Sequence, residues 1–259
     1  MSGVLPLALE DATKIIGAFL LSGKEYSCLM QLHADVPESN VKQILSDFVG
    51  QIYQKPPLRA SVKREVRKRR IYWIRDLEIQ GRQVVFRIAC QAGTYIRKVC
   101  SDVGEILGCG AHMRELRRTR SGPFTESDEH FGLYHVLNAS LGFFEHGDEE
   151  PLRGLVRPME DALLHIPRMV IRDSAVNALC HGADLAVPGI LKVTKGIAPK
   201  TPVGVFTLKG ELVSLSTSLM STDQILTVEK GIAAKTNRVV MHADTYPKMW
   251  KSKEEKPVS

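Results

Sequence analysis

An α+β fold, with a mixed central sheet and flanking helices followed by a small β-barrel, is predicted by three features of this sequence. Helix-period and strand-period segments alternate as far as about residue 162. From Leu163 the texture changes to short apolar runs punctuated by glycine and proline, the pattern of a small all-β unit. A chain of 259 residues is also long enough for two modest cores. The expected organisation is a first domain over residues 1–162 and a second over 163–250, with a charged, proline-containing tail over 251–259 expected to be disordered.

From Ala8 to Leu21 the positions Leu9, Ala12, Ile15, Ile16, Phe19 and Leu20 describe an amphipathic helix, closed by Gly23. In the strand Lys24 to Leu32, alternation puts Tyr26, Cys28, Met30 and Leu32 on one face, with Tyr26 near the strand's beginning. Ser39 or Asn40 is expected to cap a second helix that buries Val41, Ile44, Leu45 and Phe48 and ends at Gly50. Pro56 and Pro57 then hold an extended surface segment, because proline fits neither a helix interior nor a central strand. Ile71–Ile79 and Gln83–Cys90, on either side of Gly81, read as a hairpin with Ile71, Trp73, Leu77 and Ile79 alternating, then Val84, Phe86, Ile88 and Cys90.

Thr94 is expected to cap the next helix, which runs to a left-handed Gly108 and buries Ile96, Val99, Cys100, Val103, Ile106 and Leu107. Arg97 lies off that face, beside Tyr95, where strand hands over to helix. The strand that follows carries Arg114, Arg117, Arg118 and Arg120 around a single apolar Leu116, an odd composition for a core strand. A helix is predicted near Leu133 to Phe144. In the second domain the predicted elements are a strand at Met169–Ile171, a short helix capped by Asp173 and running to Cys180, and a turn over His181–Asp184. A further turn at Pro188–Gly189, a hairpin of Pro202–Leu208 with Glu211–Ser216, and a last strand over Arg238–Met241 complete it.

Composition excludes several classes. A hydrophobic content of 44% argues against disorder, and no apolar run approaches the ~20 residues that span a bilayer. Glu10, Asp11 and Lys14 interrupt the N-terminal apolar piece, so no signal peptide is read and the expected compartment is the cytoplasm. The five cysteines, Cys28, Cys90, Cys100, Cys109 and Cys180, contain no C-x-x-C pair, and buried free thiols are the expectation. Cys109 and His112 form a lone C-x-x-H without a second pair at metal spacing, so no metal site is predicted. The net charge of +6 is unevenly placed: Lys63, Arg64, Arg67, Lys68, Arg69 and Arg70 fall within eight residues. Clustered cations of this kind suggest a polyanion, although a merely solvated basic face fits the charge equally well.

Five motifs, GKEYSCLMQLH (23–33), QKPPLRASVKR (54–64), AGTYIRK (92–98), CGAHMRELRRTRSG (109–122) and RDSAVNALCHGADLAVPGI (172–190), together resemble the TruB/dyskerin family of pseudouridine synthases. They are most similar to the archaeal dyskerin-type enzyme of H/ACA ribonucleoproteins, and the resemblance runs from about residue 2 to 250. It implies a pseudouridine synthase domain followed by a PUA domain that grips guide RNA, and uridine isomerisation without a metal or organic cofactor. A small β-barrel used for protein contacts is the plainer alternative for the second domain. By motif match Tyr26 is the ring that receives the flipped uridine and a candidate for removing its C5 proton. Arg97 pairs with the catalytic carboxylate, Leu116 packs on the base and Tyr95 forms the pocket wall. The resemblance makes Lys63, Arg64, Arg67, Lys68, Arg117, Arg118, Arg120, Gly182 and Lys192 the candidate RNA contacts. Implied partners are guide and substrate RNA, a small zinc-ribbon-type protein, a β-barrel protein and a kink-turn-binding protein.

The family's nucleophilic aspartate lies in a G-H-x-G-T-L-D-P segment that immediately precedes the S-G-x-L-P found here from Ser2, and the 259 residues contain no such segment. The resemblance therefore places the nucleophile just upstream of Met1, a position where the family has a small apolar residue, commonly valine. Asp11 belongs to the following helix and is not its substitute. The expectation is an N-terminally truncated member, either from a start placed too late or as a genuine short protein, that binds RNA weakly and isomerises no uridine. An inactive RNA-binding scaffold is the alternative function. A stand-alone synthase of the bacterial TruB type is disfavoured by the Q-K-P-P-L segment and the full-sized PUA region.

Overall fold

The computed structural model describes residues 2–56, 63–127 and 131–248, so Met1, Pro57 and the tail from Lys251 lie outside the described residues. The first elements are β1 (Ser2–Gly3), a 3-10 turn (Glu10–Ile15), α1 (Ile16–Leu20), β2 (Lys24–Leu32), α2 (Glu38–Asp47), β3 (Gly50–Gln54), β4 (Arg67–Gln80) and β5 (Gln83–Cys90). Next come α3 (Ile96–Ile106), β6 (Ala111–Ser121), β7 (Phe124–Thr125), α4 (Leu133–His146) and α5 (Glu150–Leu155). The chain then forms β8 (Arg168–Ile171), α6 (Asp173–Cys180), β9 (Leu185–Ala186), β10 (Ile190–Val193), β11 (Pro202–Phe206), β12 (Leu212–Ser218), α7 (Thr222–Thr227) and β13 (Ile232–Val239). The fold is α+β, as predicted, and carries two separate sheets. Two compact units result: residues 2–7 with Leu20–Val156, and Ala8–Phe19 with the chain from Arg157 onward.

In the first unit the strands run β1-β6-β2-β5-β4-β3, with β7 also paired to β6. Only β1 is parallel to its neighbour, so the sheet is mixed. The period-2 alternation in β2 and β5 does what it predicts: Cys28, Met30, Leu32, Val84, Phe86 and Ile88 are buried, in one cluster with Val41 and Leu45 of α2 and Val99, Cys100 and Val103 of α3. Each large side chain buried there contributes about 1.5–3 kcal/mol relative to exposure.

Several local expectations are corrected. The predicted helix from Ala8 to Leu21 is a 3-10 turn and a five-residue helix, because only Ile15 of its apolar stripe is buried while Leu9 and Leu20 are exposed. In β4 the register shifts between Ile71 and Trp73 and again between Arg75 and Glu78. These bulges put Ile74 rather than Trp73 on the core, and the Arg75 guanidinium lies 3.6 Å from the centre of the Trp73 ring. Helix caps are also displaced: α2, α3 and α6 start after Pro37, Tyr95 and Arg172, none of which caps through its side chain. Gly108 does adopt the left-handed conformation that ends α3, with φ +72°. Ile106, predicted to be buried, is exposed, while the neighbouring Leu107 packs on the core.

The second unit has the strand order β10-β8-β11-β12-β13-β9, with β8 and β11 parallel. Its edge strands, β9 and β10, are joined by only the turn Val187–Gly189, so the sheet curls into a barrel-like shape until its two edges become chain neighbours. The last strand, β13, begins six residues earlier than the predicted Arg238. Ile15 packs in a satellite cluster with Leu163, Phe206, Leu212 and Val240. Lys14 Nζ donates to the Val240 carbonyl at 3.1 Å, and Asp11 pairs with both Lys14 and His242.

Candidate active site

Strand β2 enters the sheet between β5 and β6, so Tyr26 stands opposite Ile88 on one side and Arg118 on the other. Its ring is half-buried, and the Arg118 side chain reaches the phenol. Arg118 is itself tied down: its Nε donates to the Val4 carbonyl at 2.7 Å, and the Val4 amide donates to the Arg118 carbonyl at 2.8 Å. Burial pushes the Tyr26 phenol above its ordinary range, with Arg118 pulling the other way. At neutral pH the ring is therefore uncharged, which suits a stacking platform and a hydrogen-bond donor and works against the role of a base. Behind it lies Cys90, whose thiol burial raises to about 11 while Thr94 and Lys24 draw it down. Burial, then Arg118, lowers the Lys24 ammonium.

From Cys90 the chain turns through Gln91–Tyr95 into α3. Gly93 takes φ +77°, and Thr94 Oγ1 donates to the Gln91 carbonyl at 2.7 Å instead of capping the helix. Tyr95, half-buried, is the residue before the first helical turn, and Arg97 projects from that turn into solvent. Among the described residues Arg97 has no hydrogen-bond or ion-pair partner. Leu116 is the buried residue in the middle of β6, 8% exposed and opposite Cys28, with Ala111 and Ser121 buried at the strand's ends. Tyr26, Cys90, Thr94 and Arg118 are thus one contiguous group, with Leu116 one strand over and Arg97 on the helix that follows. Met1, just upstream of which the nucleophilic aspartate is expected, lies outside the described residues, and the described chain enters the sheet at Ser2 opposite Arg117.

The candidate RNA contacts fall into two sets. In the first unit Lys63, Arg64 and Lys68 are exposed, Arg67 donates to the Lys63 carbonyl at 3.3 Å, and Lys68 lies 5.7 Å from the centre of the Tyr53 ring. Arg117 is paired with Glu126, and Arg120 donates to the Gly122 carbonyl at 2.8 Å. In the second unit Gly182, with φ +87°, follows α6, and Lys192 is exposed on β10 opposite Val170. Asp11 is also in the second unit, engaged with Lys14 and His242.

His112 shares a hydrogen bond of 2.9 Å with His33, while the Cys109 thiol donates to the Gly110 carbonyl at 3.2 Å. Among the described residues no group of three or more His, Cys, Asp or Glu is arranged to hold a metal. Cys28, Cys90, Cys100 and Cys180 are buried free thiols, as expected, and Cys109 is half-buried.

Two polar residues beside this site lie within quoted motifs but receive no role from the sequence. Glu25, 8% exposed, is paired with Arg87 and accepts from Thr119 Oγ1 at 3.1 Å. Gln54, 3% exposed, bonds to the backbone of Tyr95. Their partners lie 41 to 94 residues away, beyond the reach of local periodicity.

Comparison with known proteins bears directly on this arrangement. The TruB family pseudouridylate synthase N-terminal domain profile matches residues 1–96, the tRNA pseudouridylate synthase B C-terminal domain profile matches 97–164, and the PUA domain profile matches 167–240. A "probable tRNA pseudouridine synthase B" of Methanopyrus kandleri is 54% identical over 250 residues, 96% of this chain and 74% of that protein. The chain belongs to the TruB family of pseudouridine synthases.

The TruB relative from Methanocaldococcus jannaschii, of the same description, is 50% identical over 98% of this chain and 75% of its own length. Among solved structures, the fold matches a crystal structure of a Cbf5–Nop10–Gar1 complex with a TM-score of 0.90 and 49% identity, over 95% of this chain and 75% of that one. It also matches an H/ACA ribonucleoprotein bound to a substrate RNA containing 2′-deoxyuridine, with a TM-score of 0.87 and 47% identity over 96% of this chain and 75% of that one. TruB membership makes the chain's class that of an RNA isomerase. Among the described residues no helix is long and apolar enough to cross a membrane.

Proposed function

We propose that this chain is the uridine-isomerising subunit of an RNA-guided pseudouridine synthase acting on transfer and ribosomal RNA. The observation that carries the reading is a neutral, half-buried Tyr26 ring on β2, with Arg97 on the first turn of α3 exposed and its side chain unpartnered among the described residues. In the reaction the bond from C1′ to N1 of uridine breaks, the base turns, and C5 joins C1′. Extracting the base from its stack costs a few kcal/mol. Tyr26 offers a face for it, Leu116 an apolar contact and Tyr95 a wall, while Arg97 would keep a carboxylate ionised and aimed. Lys63, Arg64, Arg67, Lys68, Arg117, Arg118 and Arg120, with Gly182 and Lys192 in the PUA unit, would position RNA through its phosphates.

Guide and substrate RNA are the proposed ligands. A small zinc-ribbon-type protein, a β-barrel protein and a kink-turn-binding protein are the proposed partners, in keeping with the Cbf5 assemblies to which the fold is similar. The proposed compartment is the cytoplasm. Because the 259 residues include no G-H-x-G-T-L-D-P segment, the polypeptide assayed by itself is expected to hold RNA without isomerising it. That is the behaviour of a scaffold.

The test is an assay of this polypeptide with guide RNA and partner proteins. No pseudouridine is expected, while a retained guide-RNA affinity should show a salt slope that Lys192→Ala makes shallower by about one phosphate contact. Product formation at normal rates would place a nucleophile within these residues and overturn this assignment of roles.

A further inference from the structure

We infer that Gln54 is a positioning residue, whose side-chain amide fixes the corner that carries Tyr95 and Arg97. Gln54 ends β3, opposite Arg67, at the point where the chain leaves the β3–β4 ribbon for the basic segment. Its Oε1 accepts from the Tyr95 amide at 2.9 Å, and its Nε2 donates to the Tyr95 carbonyl at 3.1 Å. One carboxamide thus meets both polar groups of a single peptide-chain residue, as a neighbouring strand would. Tyr95 is the N-cap of α3, so its amide lies outside the helical ladder and needs an external acceptor. Gln54 is buried, and its loss leaves the Tyr95 amide a desolvated donor, while the Tyr95 carbonyl keeps the Lys98 and Val99 amides.

The same ribbon holds the rest of the turn at alternate residues. The Gln91 amide donates to the Arg70 carbonyl at 2.8 Å, and Arg69 Nε donates to the Gly93 carbonyl at 3.1 Å. A Cβ on Gly93 would stand 3.1 Å from an Arg69 nitrogen, so the guanidinium is packed on that backbone. Positions 91, 93 and 95 are therefore fastened to β3 and β4 as a short strand would be, by Arg70, Arg69 and Gln54 in turn. Arg69, one of the six clustered cations, has its guanidinium on Gly93 and on the Lys68 carbonyl. The segment that meets RNA and the corner that meets uridine are one mechanical piece, with Gln54 at the junction.

The inference rests on the reading of this corner as part of a uridine pocket, so two readouts are needed. The first is amide hydrogen exchange at Tyr95 in the 259-residue protein, which is independent of that reading. Gln54→Ala is expected to lower protection of that amide by about ten- to a hundredfold. Gln54→Glu keeps an oxygen that accepts from the Tyr95 amide in either protonation state and should keep most of the protection, whereas Gln54→Met, which fills the space without an acceptor, should lose it as Gln54→Ala does. A general loss of stability would not separate Gln54→Glu from Gln54→Met in this way.

The second readout is the affinity ratio for short RNAs carrying an unpaired uridine or an abasic site at one position. Gln54→Ala and Arg69→Ala should each reduce the uridine preference about tenfold and leave the salt slope unchanged, whereas Lys68→Ala should weaken both RNAs alike and flatten the slope. Tyr95 protection within twofold of wild type in Gln54→Ala would overturn the clamp. A wild-type protein that binds both RNAs equally would instead overturn the pocket reading, while exchange at Tyr95 would still decide the clamp.

Discussion

Cys90 shows how one buried group makes the stability of this protein depend on pH. Burial raises its thiol from an ordinary 9.0 to about 11. The unfolded chain therefore releases this proton first, and the contribution is complete below pH ~9 and is lost as pH rises through about 11. Two pH units correspond to about 2–3 kcal/mol. Urea midpoints measured between pH 8 and 11 should fall more steeply for wild type than for Cys90→Ala, and parallel curves would contradict the assignment. Tyr26 adds a spectroscopic check. The difference spectrum between wild type and Tyr26→Phe should show a phenol titrating above its ordinary range, and removing the opposing cation with Arg118→Gln should raise it further.

Among the elements, α3 and β6 meet so closely that a glycine is obligatory between them. A Cβ on Gly104 would lie 2.1 Å from the Ala111 nitrogen, although the residue sits in a helix where alanine is intrinsically better by about 1 kcal/mol. Overpacking should win, and Gly104→Ala is expected to destabilise the first unit by about 1–3 kcal/mol. Gly142 in α4 is the contrasting case: a Cβ there meets nothing within 4 Å, so Gly142→Ala should gain about 0.5–1 kcal/mol. Denaturant melts of the two variants should move in opposite directions. The elements themselves were legible because period 2 in β2 and β5 and period 3.6 in α3 follow directly from which side chains are buried. Bulges and caps were not, since Trp73, Ile74 and the start of α3 depend on backbone shifts and on partners such as Gln54.

For the whole molecule, the stripe around Ile15 was visible in the sequence, but the core it joins was not. Ile15 is 3% exposed and packs with Leu163, Phe206, Leu212 and Val240 of the second unit. Ile15→Ala should cost about 2–4 kcal/mol, and unfolding followed by tryptophan emission and by exchange should place the loss in the second unit alone. The site divides in the same way. Motifs point to Tyr26, Tyr95, Arg97 and Leu116 as candidates because they are contiguous words in the chain. Glu25 and Gln54 also stand in such motifs, but their roles escaped because these lie in partners brought together only by the sheet. The placing of Ala8–Phe19 has one more effect, on biosynthesis. Val240 emerges from the ribosome 225 positions after Ile15, a wait of roughly ten to forty-five seconds at ~5–20 residues per second. During that interval the nascent chain carries an unclaimed apolar segment, and the second unit cannot close until Val240 has emerged.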